Sequence, residues 1–477
     1  MLFNSFTFLI FFIFVLILSR QIPSWTYRKI FLLAVSYLFY ATWNPPFVLL
    51  LWISTLADWF LAGLIGREER PLLRRFYFSL SLAVNLGFLF YFKYGQFFLD
   101  SFARLLLDAG IVFKPAKMDI ILPVGISFYT FQTLSYTFDV YRRKLKPCPS
   151  LPDYALFVTF FPHLIAGPIL RAGVFLPQCS TPKKASASQI GWGITLLVLG
   201  LFTKMAVADA LLSEIVQRVY DVTAVPTCRE AWTATLAFAM QIFCDFSGYS
   251  TCALGIALAL GFNLPENFYF PFAAVGFSDF WRRWHVSLSS WLKDYLYVPM
   301  GGSRKGRART YLNILVTMLI GGLWHGPSWM FVLWGGFHGL LLTAERFLKE
   351  LGLAASIFWQ NRFVRFGLGI LTFFLISPSW VFFRAKEMGR ALVILSAMAG
   401  AGGFLKPWKI LTAGMGHYVI GITAALLLLH FILRERSFRW LYEKIPWWAQ
   451  GVLMGTMMFA IFVSVATNDR AFIYFQF

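Results

Sequence analysis

The sequence predicts an all-α, polytopic integral membrane protein, and three observations carry that prediction. Apolar spans of about 20 residues, the length a helix needs to cross a bilayer, recur from one end of the chain to the other. Only 13% of the 477 residues are charged, about half the share in a soluble domain, while 58% are hydrophobic and 19% aromatic. Mean hydropathy is +0.66. About ten to thirteen helices fit the length. The net charge of +20 does not point to nucleic acid, because the basic residues lie in short loops between spans. Cytoplasmic loops need them there, and they meet the headgroups of the lipid bilayer.

The elements follow in order. The first apolar run, Phe6 to Leu18, has no basic region before it and no small-residue cleavage site, so it reads as a retained helix. Arg20, Arg28 and Lys29 then mark an inner loop, which puts the N-terminus outside. The second helix ends at Asn44-Pro45-Pro46 and the third runs to Gly66, before Arg67, Arg70, Arg74 and Arg75. Two more crossings lead to Arg142, Arg143, Lys144 and Lys146. Between Asp153 and Thr181, Pro162, Gly167 and Pro168 interrupt the apolar sequence, which predicts short or re-entrant segments. Near the end, Arg434 to Lys444 is basic and Trp447 to Thr467 spans outward, so the C-terminus is expected to be extracytoplasmic. No repeat of fixed period and no long linker divides the chain, and one integral domain over residues 1–477 is the simplest reading. The cysteines (Cys148, Cys179, Cys228, Cys244, Cys252) have neither CxxC nor metal-ligand spacing, so no metal and no disulfide framework is expected.

Chemistry points first to Gly321-Gly322-Leu323-Trp324-His325-Gly326-Pro327, at the end of an apolar run that starts near Tyr311. An ionisable group at membrane depth is costly and therefore a functional candidate. The glycines and Pro327 are expected to break the helix beside His325, and broken backbone is tolerated in a membrane only in protein or along a cavity. The second feature is Phe280 to Leu296, which at 100° per residue reads as an amphipathic helix. Trp281, Trp284, Leu288, Trp291, Leu292, Tyr295 and Leu296 share one face and Arg282, Arg283, Lys293 and Asp294 the other. His285 falls at the edge of the apolar face, where it serves equally as an interfacial polar tip. The glycine-rich loop that follows carries Arg304, Lys305, Arg307 and Arg309. A positive-inside loop accounts for it, and the sharper alternative is a seat for the phosphates of an anionic donor.

Four further histidines compete with these two. His163, in the proline-broken segment, could line the same cavity. His338 lies among small residues that suit an interhelical hydrogen bond, and His417 and His430 flank the penultimate span and read as interfacial. Asp245 is the remaining buried acid, able to orient an imidazole or to pair with an arginine. A neutral imidazole can take a proton from a hydroxyl as it attacks an acyl carbonyl, and a second can hold the carbonyl oxygen or the acceptor. Acyl transfer fits these residues, and so does proton-coupled transport.

Resemblance separates the two. The stretches 161–168 (FPHLIAGP), 245–250 (DFSGYS), 280–289 (FWRRWHVSLS), 291–299 (WLKDYLYVP), 301–304 (GGSR), 321–326 (GGLWHG) and the tail 472–477 (FIYFQF) resemble, in order, the membrane-bound O-acyltransferase family. They are most similar to its bacterial branch concerned with alginate O-acetylation. The resemblance implies a ring of tilted transmembrane and re-entrant helices around a central funnel, with core motifs at about residues 120–350. It implies that His325 is the essential histidine and His285 its partner, with Asp245, His163, Trp324 and Ser289 as cavity candidates. No tightly bound cofactor is implied; the acyl donor would be cytoplasmic, acetyl-coenzyme A or another coenzyme A thioester or an acyl carrier protein. The acyl group would reach an exopolysaccharide through a periplasmic or membrane-anchored acetyltransferase partner at the bacterial inner membrane. The aromatic tail, Phe472 to Phe477, is the candidate docking element. The alternatives are D-alanyl transfer to teichoic acid, a transporter or flippase for a polysaccharide precursor, and a scaffold that only recruits a polymer-modifying complex.

Overall fold

The computed structural model describes residues 1–116, 120–165, 167–352, 361–404 and 406–465, and every regular element among them is helical. Seven helices among the described residues are long and apolar enough to cross a membrane. Other apolar sequence lies in shorter helices such as Phe6–Gln21 and Met388–Met398. The chain divides into two compact units, Met1–Leu197 with Cys252–Pro265, and Val198–Thr251 with Glu266–Phe477.

The first unit opens with α1 (Phe6–Gln21), α2 (Trp25–Ala41) and α3 (Val48–Arg67). Ser5 caps α1, its hydroxyl accepting the Phe8 N–H at 3.1 Å and satisfying a donor the helix start leaves open. Next come α4 (Pro71–Leu89), with proline in its first turn, a π-helical turn at Phe90–Tyr94, α5 (Gly95–Asp108) and α6 (Ile126–Tyr141). In hydrocarbon, polar side chains hold helices together. Asp58 of α3 accepts the Ser81 hydroxyl at 2.5 Å and the Asn85 amide at 2.8 and 2.9 Å, both from α4. Asn85 Oδ1 in turn accepts the hydroxyls of Ser54 on α3, at 2.8 Å, and Thr133 on α6, at 3.0 Å. One network thus ties three helices. The proline-broken stretch forms short helices as expected: α7 (Leu151–Thr159), α8 (Phe161–Leu164) and α9 (Ala172–Ser180). Gly167 lies against His163, where a Cβ would come within 2.5 Å of its Cα. α10 (Ala187–Leu201) begins in this unit.

In the second unit a π-helical stretch, Phe202–Leu212, leads to α11 (Ser213–Tyr220) and then to α12 (Cys228–Ala259). Ala231, Ala234, Ala237 and Ala239 of α12 are fully buried, as small residues at a close helix contact should be. Then come α13 (Phe277–Arg283), α14 (Val286–Leu292), α15 (Arg307–His325), α16 (Trp329–Glu350), α17 (Arg362–Ile376) and α18 (Ser379–Arg384). α19 (Met388–Met398), α20 (Ala413–Leu433), α21 (Phe438–Lys444) and α22 (Trp447–Val465) complete it. Glu230, in the first turn of α12, fixes an irregular segment. Its Oε1 accepts the N–H groups of Lys409, Ile410 and Leu411, and its Oε2 accepts the N–H and hydroxyl of Thr227 at 2.9 and 3.0 Å.

Removing that carboxylate leaves several backbone donors without an acceptor. Glu230→Ala is expected to cost about 2–4 kcal/mol and to lower the melting temperature of the detergent-solubilised protein, with Glu230→Gln losing less. Unchanged melting of Glu230→Ala would show that the 409–411 segment is held by something else.

Candidate active site

The segment 280–296, expected as one amphipathic helix, is broken at its histidine. α13 ends at Arg283, His285 takes a left-handed backbone (φ 43°, ψ 55°), and α14 starts afresh at Val286. A non-glycine residue there is strained by about 1–2 kcal/mol. The reason is long-range: residues 267–269 run alongside and supply the partners that the helix ends lack. The Tyr269 N–H donates to the Arg283 carbonyl at 2.9 Å, and the Val286 N–H donates to the Asn267 carbonyl at 3.0 Å. The Asn267 Oδ1 accepts the Ser287 N–H at 3.2 Å and the Ser287 hydroxyl at 2.8 Å, and lies 3.2 Å from His285 Nδ1. Of the residues read on the apolar face, Trp284, Leu288, Trp291, Leu292 and Tyr295 are buried, whereas Trp281 and Leu296 are half-buried. His285, however, leaves the interfacial edge and is wholly buried.

α13 is anchored by Asp279. Its Oδ2 accepts the Arg434 guanidinium at 2.9 Å and the Val275 N–H at 3.0 Å, and its Oδ1 lies 3.1 Å from Arg283 Nε. Burial works to raise this carboxyl, but the Val275 N–H and the Arg434 and Arg283 guanidiniums outweigh it and hold it below the usual carboxylate range.

His325 is the last residue of α15. Contrary to expectation, Gly321 and Gly322 do not break the helix; they admit its neighbours. A Cβ on Gly322 would lie 2.2 Å from the Phe331 carbonyl oxygen, and one on Gly335 of α16 would lie 2.2 Å from the Met318 carbonyl oxygen. The break falls at Gly326, which is extended (φ −167°), as the residue before a proline tends to be. The rings of His285 and His325 meet with centroids 6.3 Å apart. Trp324 packs against both, at 5.7 and 5.1 Å. Phe246 stands edge-on to His285 at 4.7 Å, and Trp334 and Phe383 close on His325 at 4.9 and 5.3 Å. The pair therefore sits in an aromatic box. An imidazole in such a box can accept or donate a proton away from bulk water.

Beside the box, residues of α13, α14, α15 and α16 line an open cavity of about 370 Å³. Trp281, Ser289, Leu292, Thr317 and Met318 line it, and Lys293, Arg346 and Lys349 supply cations. Trp281 meets Trp334 edge-on at 5.7 Å, so two indoles in contact lie between the cavity and His325.

The other candidates are placed as follows. Asp245 pairs with Lys204, at 2.6 Å, and Lys204 also holds Asp209 at 2.9 Å. All three are buried. Lys204 was missed because its apolar neighbours read as an uninterrupted span. His163 lies in the first unit, 3.0 Å from the Gln132 amide and packed by Phe160 and Phe175. Arg304, Lys305, Arg307 and Arg309 are exposed, Arg307 reaches Glu350 at 3.4 Å, and none of them lines the cavity. His338 bonds the Ser379 hydroxyl at 3.1 Å, an interhelical contact. His417 is exposed, and His430 is buried, with its Nδ1 accepting the Phe272 N–H at 3.2 Å. Asn267 and the cavity cations Arg346 and Lys349 gave no local signal, since only the fold brings them to the site. The tail Phe472 to Phe477 lies outside the described residues.

The family model for the membrane-bound O-acyltransferase family matches residues 67–376. The chain is 38% identical to a probable alginate O-acetylase of Pseudomonas putida over 84% of this chain and 81% of the relative. It is 34% identical to a peptidoglycan O-acetyltransferase of Helicobacter pylori over 79% of this chain and 75% of the relative. Likeness to a teichoic acid D-alanyltransferase of Bacillus subtilis is lower, at 25% over 55% of this chain and 69% of the relative.

The close approach of α15 and α16 sets the position of His325. Gly335→Val is expected to destabilise the protein by about 1–3 kcal/mol and to abolish activity, whereas a substitution at Gly367, with open space around it, leaves both intact. Melting in detergent, together with activity at matched membrane levels, checks this.

Proposed function

Because the chain belongs to the membrane-bound O-acyltransferase family, we propose that it moves an acetyl group from a cytoplasmic thioester donor across the membrane for O-acetylation of an exopolysaccharide such as alginate. The observation that carries this reading is the buried pair His285 and His325, ring to ring in an aromatic box.

The chemistry runs through these side chains. A hydroxyl oxygen attacks the acyl carbonyl carbon while an imidazole nitrogen of His325 takes the hydroxyl proton. The carbon–sulfur bond breaks, the ester forms, and the departing thiolate recovers the proton, which restores the neutral imidazole. His285 completes the site by holding the carbonyl oxygen or the acceptor. The Trp324, Trp334 and Phe383 rings keep water away from the activated acyl group.

The cavity beside the box supports a thioester donor. Its apolar wall suits a pantetheine-like arm, and Lys293, Arg346 and Lys349 suit phosphates. This is a better-built seat than the exposed loop carrying Arg304, Lys305, Arg307 and Arg309. Two of the cations are already engaged, Arg346 with Glu350 and Lys349 with Glu345, so phosphate would compete with those pairs. A donor of this kind needs no tightly held cofactor. On this reading the donor side faces the cytoplasm, the two termini face outward and the protein sits in a bacterial inner membrane, a topology that the basic loops support. A separate periplasmic or membrane-anchored transferase then places the acetyl group on the polymer.

Polymer-bound acetate tests this in a deletion strain complemented with wild type or His325→Ala at matched membrane levels. Acetate is expected to disappear with the variant while polymer export continues. Persisting acetate makes His325 a packing residue, and loss of export in place of acetate favours a transporter.

A further inference from the structure

We infer that Asn267 is a positioning residue that fixes the tautomer of His285, keeping its proton on Nδ1 and presenting Nε2 as a lone-pair acceptor. The inference rests on the acyl-transfer reading of the histidine pair and decides between the two roles open to His285.

The argument turns on which Asn267 atom faces the ring. Amide oxygen and nitrogen are distinguished only by their partners. A backbone N–H can only donate, and the Ser287 N–H points at this atom from 3.2 Å, so it is the carbonyl oxygen Oδ1. The Ser287 hydroxyl donates to the same oxygen at 2.8 Å, which turns the hydroxyl proton away from the ring. His285 Nδ1 lies 3.2 Å from Oδ1 and 3.4 Å from the Ser287 oxygen. Both oxygens face Nδ1 with lone pairs, so Nδ1 carries the hydrogen. In a neutral imidazole the other nitrogen is then unprotonated.

Asn267 cannot easily swing away. It is 1% exposed, and its own carbonyl accepts the Val286 N–H at 3.0 Å. The left-handed backbone of His285 brings Nδ1 to Oδ1. A neutral amide also orients the ring without adding the negative charge that a carboxylate would use to stabilise an imidazolium.

The consequence is chemical. A neutral His285 with its proton on Nδ1 has no hydrogen on Nε2 to offer a carbonyl oxygen as negative charge develops there. It can accept from a group that carries a proton, either the acceptor hydroxyl or an N–H of His325. His285 therefore works on the hydroxyl side of the reaction, and stabilisation of the carbonyl oxygen falls to other donors.

Nitrogen-15 NMR of the histidine-labelled full chain in lipid nanodiscs tests this. The chain has six histidines, and the His285 signals are those lost in His285→Gln. Wild type is expected to show His285 with a protonated Nδ1 and a bare Nε2. In Asn267→Leu that pattern should give way to the other tautomer or a mixture, and polymer-bound acetate in cells should fall about tenfold or more. Should Asn267→Leu fail to accumulate, Asn267→Asp keeps the acceptor oxygen and must keep the hydrogen on Nδ1. A wild-type His285 protonated on Nε2, an unchanged pattern in Asn267→Leu, or a bare Nδ1 in Asn267→Asp overturns the inference. If the tautomer is as expected but His325→Ala still acetylates the polymer, the acyl-transfer reading fails and the tautomer assignment stands.

Discussion

A left-handed residue between two short helices strands the backbone groups at both helix ends, and in hydrocarbon each unmet group costs several kcal/mol. The 267–269 segment meets that demand at His285. One residue, Asn267, does so with both its main chain and its side chain, taking the Val286 N–H and the Ser287 N–H and hydroxyl, and it lies 3.2 Å from His285 Nδ1. Without these bonds the two half-helices would gain by joining, and the continuous amphipathic helix that the sequence suggests would carry His285 to its edge. The buried imidazole is thus a product of a break that long-range hydrogen bonds stabilise.

His325 is placed by a different device. α15 runs unbroken through two glycines, and the missing side chains let α16 approach until backbone touches backbone. The indoles of Trp324 and Trp334 then enclose the ring. Rigid placement of this kind suits acyl transfer, where a reacting hydroxyl must meet a carbonyl at a set angle and water must be kept out. The charged groups nearby have structural duties. Lys204 balances Asp209 and Asp245, and Asp279 ties α13 to Arg434.

Much of this was legible in the sequence where local physics decides. The apolar spans and the proline-broken stretch at 160–168 read correctly because hydrophobicity and proline sterics act over a few residues. His285 and His325 stood out because an imidazole at membrane depth is expensive. The helix break at His285 did not, since a 3.6-residue periodicity continues across it and its cause lies 18 residues upstream at Asn267. The glycines before His325 were read as breakers, for a sequence does not distinguish a glycine that ends a helix from one that admits a neighbour. The pairing of Asp245 with Lys204 was not legible because Lys204 sits inside an apolar stretch. The cavity cations Arg346 and Lys349 look like an ordinary polar helix end until the fold sets them beside Lys293.

The central claim is that the buried imidazole pair performs the acyl chemistry. Release of free thiol from acetyl-coenzyme A by the purified full chain in nanodiscs, compared among wild type, His325→Ala and His285→Ala at equal incorporation, tests it most directly. The account predicts thiol release by wild type and its loss in both variants. Release by both variants at the wild-type rate would contradict it, and the pair would then be part of the packing alone.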